Sequence, residues 1–155
     1  IHKDGYKEVR IGDLIKDMKN AGISIGGNYI FGLPMDTHES MKDTLNFAME
    51  NKTEMVNFYC AMAYPGSPLH LQAKENGWEL PSKYEGYSQH SYETLNLSND
   101  NLTAREILGF RDKAFIEYNT HPDYLNLLQT KFGKKAKDNM EDTLKIKLKR
   151  KLLGD

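Results

Sequence analysis

Apolar residues recur along this chain in two different periods, and the alternation between those periods predicts the order of its elements. Ile11, Leu14, Ile15 and Met18 fall at i, i+3, i+4 and i+7, the spacing of an amphipathic helix, and Gly22 stops it. From Ile23 to Leu33 the run ISIGGNYIFGL is rich in β-branched and aromatic side chains and is closed by Pro34, which predicts a buried strand. Asp36 and Thr37 are candidate N-caps. Asp36 with Glu39 has the capping-box spacing for a helix from His38 to Asn51, with Met41, Leu45 and Ala48 as its inner stripe. Met55 to Tyr64 (MVNFYCAMAY) is too short for a typical helix and stops at Pro65 and Gly66, so it predicts a second strand.

Two strands joined by a helix form a βαβ unit, which implies a parallel pair with a right-handed connection and ligand chemistry at the strands' carboxyl ends. Those ends are Gly32-Leu33-Pro34 and Ala63-Tyr64-Pro65-Gly66. After Ser67 a short helix runs to Asn76 and is ended by Gly77. Trp78 to Asn101 has no clear period, as expected of a segment that covers a site or meets a partner. Thr103 with Glu106 is a second capping box, opening a helix to Asn119. Pro122 opens another that Gly133 stops. A last helix is predicted from Ala136 to Leu153, with Met140, Leu144, Leu148 and Leu152 at intervals of four. The fold class is α/β: a βαβ unit within residues 1–77, then, over 78–155, a connecting segment and an all-helical extension.

Composition narrows the classes. Of the 155 residues 39% are hydrophobic and 28% charged, with a mean hydropathy of -0.68, so part of the surface is solvated helix or a face awaiting a partner. The 21 basic and 22 acidic side chains nearly cancel. From Lys131 to Asp155, however, nine Lys or Arg stand against four Asp or Glu, a local +5 that leaves -6 for the rest. In the terminal KIKLKRKLL the lysines complement the C-terminal dipole of a helix that starts with Asp138, Glu141 and Asp142, so a solvated helix is expected rather than a nucleic-acid or membrane surface. No apolar run approaches the length of a bilayer span and no signal peptide opens the chain, which reads as cytoplasmic. The single cysteine, Cys60, excludes an internal disulfide and any iron-sulfur or zinc site built from several thiolates of this chain. Lying within a strand, it reads as a small buried hydrophobe rather than a nucleophile. No metal ligand is assigned. The chain begins at Ile1, with no methionine before Met18, and so reads as an excised piece.

The stretch GISIGGNYIFGLPMDTHESMKDTLNFAMENKTEMVNFYCAMAYPGSPLH resembles the later half of the core domain of radical S-adenosylmethionine enzymes, a partial (β/α) TIM-like barrel. Asn28-Tyr29-Ile30-Phe31-Gly32 occupies the GxIxG pattern of that family's fifth strand, followed by Leu33-Pro34 and by Asp36-Thr37, and Val56 to Ser67 matches the sixth strand and its PGT-like turn. PSKYEGYSQHSYETL, the FRDKAF run and KLKRKLL are similar to helical tails in a cobalamin-linked branch of the superfamily. Asn28 replaces a glycine and Ser67 a threonine, and the cluster-binding CxxxCxxC is absent.

The resemblance implies a parent Fe-S oxidoreductase whose [4Fe-4S] cluster and S-adenosylmethionine, with cobalamin as a further cofactor, carry the chemistry. This chain would be inactive alone. Its partners would be the N-terminal half of the same protein and a small-molecule substrate, with self-association of the incomplete barrel through its exposed strand edges. It would contribute the adenine-side wall through Ile30, Gly32, Leu33, Ala63, Tyr64 and Pro65, where glycine admits close approach of backbone and the turns expose main-chain groups. Gly32 and Pro34 also read simply as strand terminators, and Tyr64 equally as a packed aromatic with a wet hydroxyl. His70, close after the second strand, and His90, among Tyr87, Tyr92 and Glu93 in the long segment, are weighed as substrate-side residues, although isolated histidines are more often structural or exposed. A non-catalytic α/β nucleotide-binding or protein-interaction module is the alternative reading.

Overall fold

A computed structural model of the protein describes residues 10–155. Ile1 and the first nine positions of the predicted 1–77 unit lie outside them. The described elements are α1 (Ile11–Asn20), β1 (Gly26–Phe31), α2 (His38–Glu50), β2 (Met55–Cys60), α3 (Pro68–Glu75), a 3₁₀ turn (Tyr84–Tyr87), α4 (Ala104–Thr120), α5 (Pro122–Phe132), α6 (Lys134–Leu144) and a terminal 3₁₀ turn (Lys151–Leu153). The fold is mixed α/β, and its sheet among the described residues is the two-stranded parallel pair β1-β2. The TIM-like barrel of the sequence reading is not shown.

Both strands are shorter than their apolar runs. β1 ends at Phe31 because Gly32 turns into the left-handed region at φ +78. There a Cβ would stand 2.7 Å from the Ile107 side chain of α4. The strand is also not buried on both faces. Gly27, Tyr29 and Phe31 pair in register with Val56, Phe58 and Cys60 toward the helices, whereas Gly26, Asn28 and Ile30 pair with Met55, Asn57 and Tyr59 on the opposite face.

On the helix side Phe58 stacks on Tyr29 and Phe31, with ring centres 5.6 and 5.5 Å apart, and meets Tyr118 edge-on. Met41, Leu45 and Ala48 of α2 close this core from one side and Ile107, Leu108, Ala114, Tyr118, Tyr124 and Leu128 from the other. The inner stripe expected of α2 is therefore the buried one. The buried Tyr118 hydroxyl is satisfied by Thr53, accepting from its N–H at 2.8 Å and donating to its carbonyl at 3.1 Å.

The cap of α2 differs from the predicted pair. Thr37 accepts from the Ser40 N–H at 3.2 Å while the Ser40 hydroxyl accepts from the Thr37 N–H at 3.0 Å. Asp36 instead accepts from the Leu33 N–H and the Ser40 hydroxyl, which fixes the turn before the helix. The Thr103–Glu106 capping box of α4, Pro122 at the head of α5 and the Gly133 stop are found where the sequence puts them.

The last helix is shorter than its leucine spacing predicts, since α6 ends at Leu144 and residues 145–150 are not helical. Arg150 decides this. It is fully buried and bonds to Asp112, Ser91 and Thr94, which an extended backbone at φ -133, ψ 112 lets it reach. Ile146 and Leu148 are left exposed, while Leu152 and Leu153 pack on the core. No helix among the described residues is long and apolar enough to cross a membrane.

Candidate functional site

The carboxyl ends of β1 and β2 lie side by side because the strands are parallel and in register. Beyond β1 the loop is pinned by side chains from another part of the chain. The Asn99 amide donates to the carbonyls of Leu33 and Asp36 at 2.8 and 3.0 Å, and the Asn101 amide donates to that of Asp36 at 3.1 Å. These bonds replace secondary structure in holding a surface loop. Between the two segments is a cavity of about 130 Å³ lined by Gly32, Pro34, Trp78, Leu97, Ser98, Asn99 and Asp100.

Beyond β2, Ala61 donates to the Phe31 carbonyl and accepts from the Leu97 N–H, which draws the 78–101 segment alongside the strand end. Ala63 is buried with Ala73 and Leu97, and Leu69, Trp78 and Leu80 pack against them. The Tyr64 ring is half exposed, 6.2 Å from that of Tyr87, and its hydroxyl is 3.5 Å from the Gln89 amide. Ser67 accepts from the His70 N–H and so caps α3.

The predicted wall residues thus separate into two kinds. Ile30, Leu33, Tyr64 and Pro65 present exposed surface at or beside the strand ends, whereas Gly32 and Ala63 are buried and contribute backbone shape. His70 is buried on α3, and His90 is exposed. Partial desolvation, with Arg111 and Arg150 nearby, holds the His90 pKa below its ordinary value. Cys60 is 2% exposed, and burial pushes its thiol up to about 12. A larger hollow of about 720 Å³ lies between the 79–86 segment and Lys151-Leu152, and none of the six predicted residues lines it.

Sequence reading missed Trp78, Asn99 and the cross-strand amide pair in which Asn57 donates to Asn28 at 3.0 Å. The last was signalled, since one asparagine stands at the third residue of each strand. Trp78 and Asn99 carried no local signal, because only the path of the 78–101 segment brings them to the strand end.

Two curated methyltransferases resemble the chain. Bacteriochlorophyllide d C-8(2)-methyltransferase of Chlorobaculum tepidum is 29% identical over 75 residues, 48% of this chain and 17% of that protein. An uncharacterized methyltransferase of Pyrococcus horikoshii is 27% identical over 115 residues, 73% of this chain and 24% of that protein. The chain therefore spans about a fifth of the length of these relatives. No family model matches it. No solved structure matches it.

These findings correct the radical S-adenosylmethionine reading. No model of that family matches, and the relatives are named as methyltransferases. The [4Fe-4S] cluster, the Fe-S oxidoreductase activity and cobalamin find no support, and among the described residues no group of three or more His, Cys, Asp or Glu could hold a metal ion. The glycine that anchored the resemblance has a packing reason of its own, because Gly32 is demanded by its positive φ and by Ile107.

Proposed function

We propose that this chain supplies part of the S-adenosylmethionine-binding wall of a methyltransferase. The observation that carries the reading is the pair of adjacent parallel strand ends opening on a cavity beside Trp78, the place where open α/β sheets take ligands. The likeness to two methyltransferases supports the choice of cofactor class. A dry cavity of about 150 Å³ accepts a benzene ring. The 130 Å³ here would take no more than about one ring of a ligand and leaves the rest to lie across Ile30, Leu33, Tyr64 and Pro65.

In this reading Gly32 and Ala63 keep the wall low, and Asn99 and Asn101 hold the Leu33–Asp36 loop in position. S-adenosylmethionine, when bound, supplies an electrophilic methyl group on its sulfonium. Residues 1–77 carry the strand-end wall, the 78–101 segment closes the cavity from the other side, and the helices beyond it support both, the parallel pair being two strands of a larger TIM-like barrel. The rest of that barrel would come from an N-terminal partner segment, and the methyl acceptor is a small molecule. Neither nucleic acid nor membrane is a partner.

The test is an NMR titration of the chain with S-adenosylhomocysteine, followed together with Trp78 fluorescence. Shifts confined to residues 30–34, 61–65 and 97–100, with a change in Trp78 emission, are expected at millimolar ligand. Shifts scattered over the surface, or none, would sink the proposal.

A further inference from the structure

Three charged side chains meet along the outer edge of β2, and their charges do not cancel. Arg150 is fully buried and Arg111 is 4% exposed, yet both lean on the single carboxylate of Asp112. Two guanidiniums against one carboxylate leave a net charge of +1, and a guanidinium does not shed its proton to relieve it. The carbonyls of Phe58 and Ser91 accept from Arg111 Nε and Arg150 Nη1, which supplies dipoles but no opposite charge. Asp155 accepts from the Arg150 main-chain N–H, but its carboxylate is already taken by Lys147. A buried charge without a counter-charge is costly, so an anion that reached the cluster would be held.

The cluster also has a donor to spare. Every side-chain nitrogen of Arg150 is bonded, whereas Arg111 uses Nε and Nη1 and leaves Nη2 without a partner among the described residues. Among those residues only Asn96 Oδ1 and Asn119 Oδ1 are both unbonded and sealed, so Nη2 keeps a path to solvent. Phe115 covers the guanidinium from one face, its ring centre 5.8 Å from Cζ. His90 is the exposed neighbour, held beside the strand by Gln89, whose amide bonds twice to Cys60 at 3.0 Å. Desolvation, then Arg111 and Arg150, lower the His90 pKa, with Asp112 opposing them, so the excess positive charge is felt at the imidazole. A planar, singly charged group that accepts from Nη2 and lies against His90 would balance the cluster, and a carboxylate has that charge and that shape.

We infer that Arg111 and His90 form a binding site for the carboxylate of a small-molecule ligand, on the outer edge of β2 and apart from the cavity beyond β1. The site stands on the charge count and does not rest on the strand-end reading. The test is an NMR titration of wild type, Arg111→Gln and Asp112→Asn with sodium acetate against sodium chloride at equal ionic strength, with circular dichroism to check folding. In wild type, saturable shifts of Arg111 Nε and the His90 ring are expected at millimolar acetate, with the His90 titration midpoint raised by about one unit. Arg111→Gln should weaken acetate binding about tenfold or more, because a charge-assisted bond is lost. Asp112→Asn should tighten it, because the unbalanced charge grows. Acetate and chloride acting alike on wild type overturns the proposal whether or not the variants fold, and so does a folded Arg111→Gln that binds acetate as wild type does. Tighter binding of inorganic phosphate than of acetate, or displacement of acetate by S-adenosylhomocysteine, would also overturn it, by giving the charge to a phosphate or to the strand-end ligand.

Discussion

Asp112 grips Arg150 with both carboxylate oxygens, Nε to Oδ2 at 3.0 Å and Nη2 to Oδ1 at 3.1 Å, across 38 positions of sequence. Arg111 shares the same carboxylate at 2.8 Å, and the remaining Arg150 nitrogen bonds to the Ser91 carbonyl and the Thr94 hydroxyl. One buried guanidinium thereby joins the chain terminus to α4 and to the long 78–101 segment, two parts without regular structure to hold them. Arg150→Met should destabilise the protein by about 3 kcal/mol, because losing one member of a buried pair leaves the other charge with less compensation. Asp112 retains Arg111, which keeps the loss near the lower end of the usual range. Urea unfolding measures this, and a change below about 1 kcal/mol would assign the pair to a surface role.

Glu54 is buried between the strands' amino ends and α5, accepting from the Ile25 N–H at 2.8 Å and from the Lys131 ammonium. Burial pushes its pKa up, but the bonds from Lys131 and Ile25 outweigh it and hold the carboxyl below its ordinary value. Its contribution is therefore fully present above the unfolded carboxylate pKa of about 4.3 and is lost as pH falls through the lower folded value. Stability of wild type relative to Glu54→Gln, followed by urea melts from neutral pH into the acid range, should shrink across that window. Parallel curves for the two proteins would contradict the assignment.

Cys60 should be inert in the native state. With its thiol pushed up to about 12 by burial, it carries almost no thiolate at mildly alkaline pH. Reaction with an aromatic disulfide reagent should wait for unfolding, so its rate should rise steeply with urea. Modification in native buffer at the rate of a free thiol peptide would place Cys60 on the surface.

Gly32→Ala tests the turn that ends β1. Alanine must both adopt φ +78 and push into Ile107, so a loss of about 2–3 kcal/mol is expected. Paired with Ile107→Ala, which opens the space, the double variant should lose less than the sum of the two singles. Strict additivity in thermal melts would mean that the backbone angle alone decides.

Much of the framework was legible in the chain. The period of Met41, Leu45 and Ala48 marks one buried stripe, and no tertiary information is needed to find it, because the apolar face of a helix is set by local geometry. Thr103 with Glu106, Pro122 and Gly133 mark helix ends for the same reason: caps satisfy main-chain groups within a few residues. Thr37 is one of the two N-caps the sequence offers for α2, but the capping box forms with Ser40 rather than as Asp36 with Glu39, since all four have suitable chemistry and only the path of the turn selects the pair.

Of the candidate site, the sequence located the two strand ends and left the remainder to the fold. Trp78, Asn99 and Asn101 reach the β1 loop over long separations in sequence, as Arg150 reaches Asp112, and no local pattern encodes such contacts. By itself the sequence determined the order of elements and the positions of most helix stops, because each depends on residues within a turn or two of one another, and the parallel pair followed from the helical connection between its two strands. The tertiary structure decided where the last helix breaks and how the loop beyond β1 is held, because those follow from a few polar side chains that find partners far away in the chain.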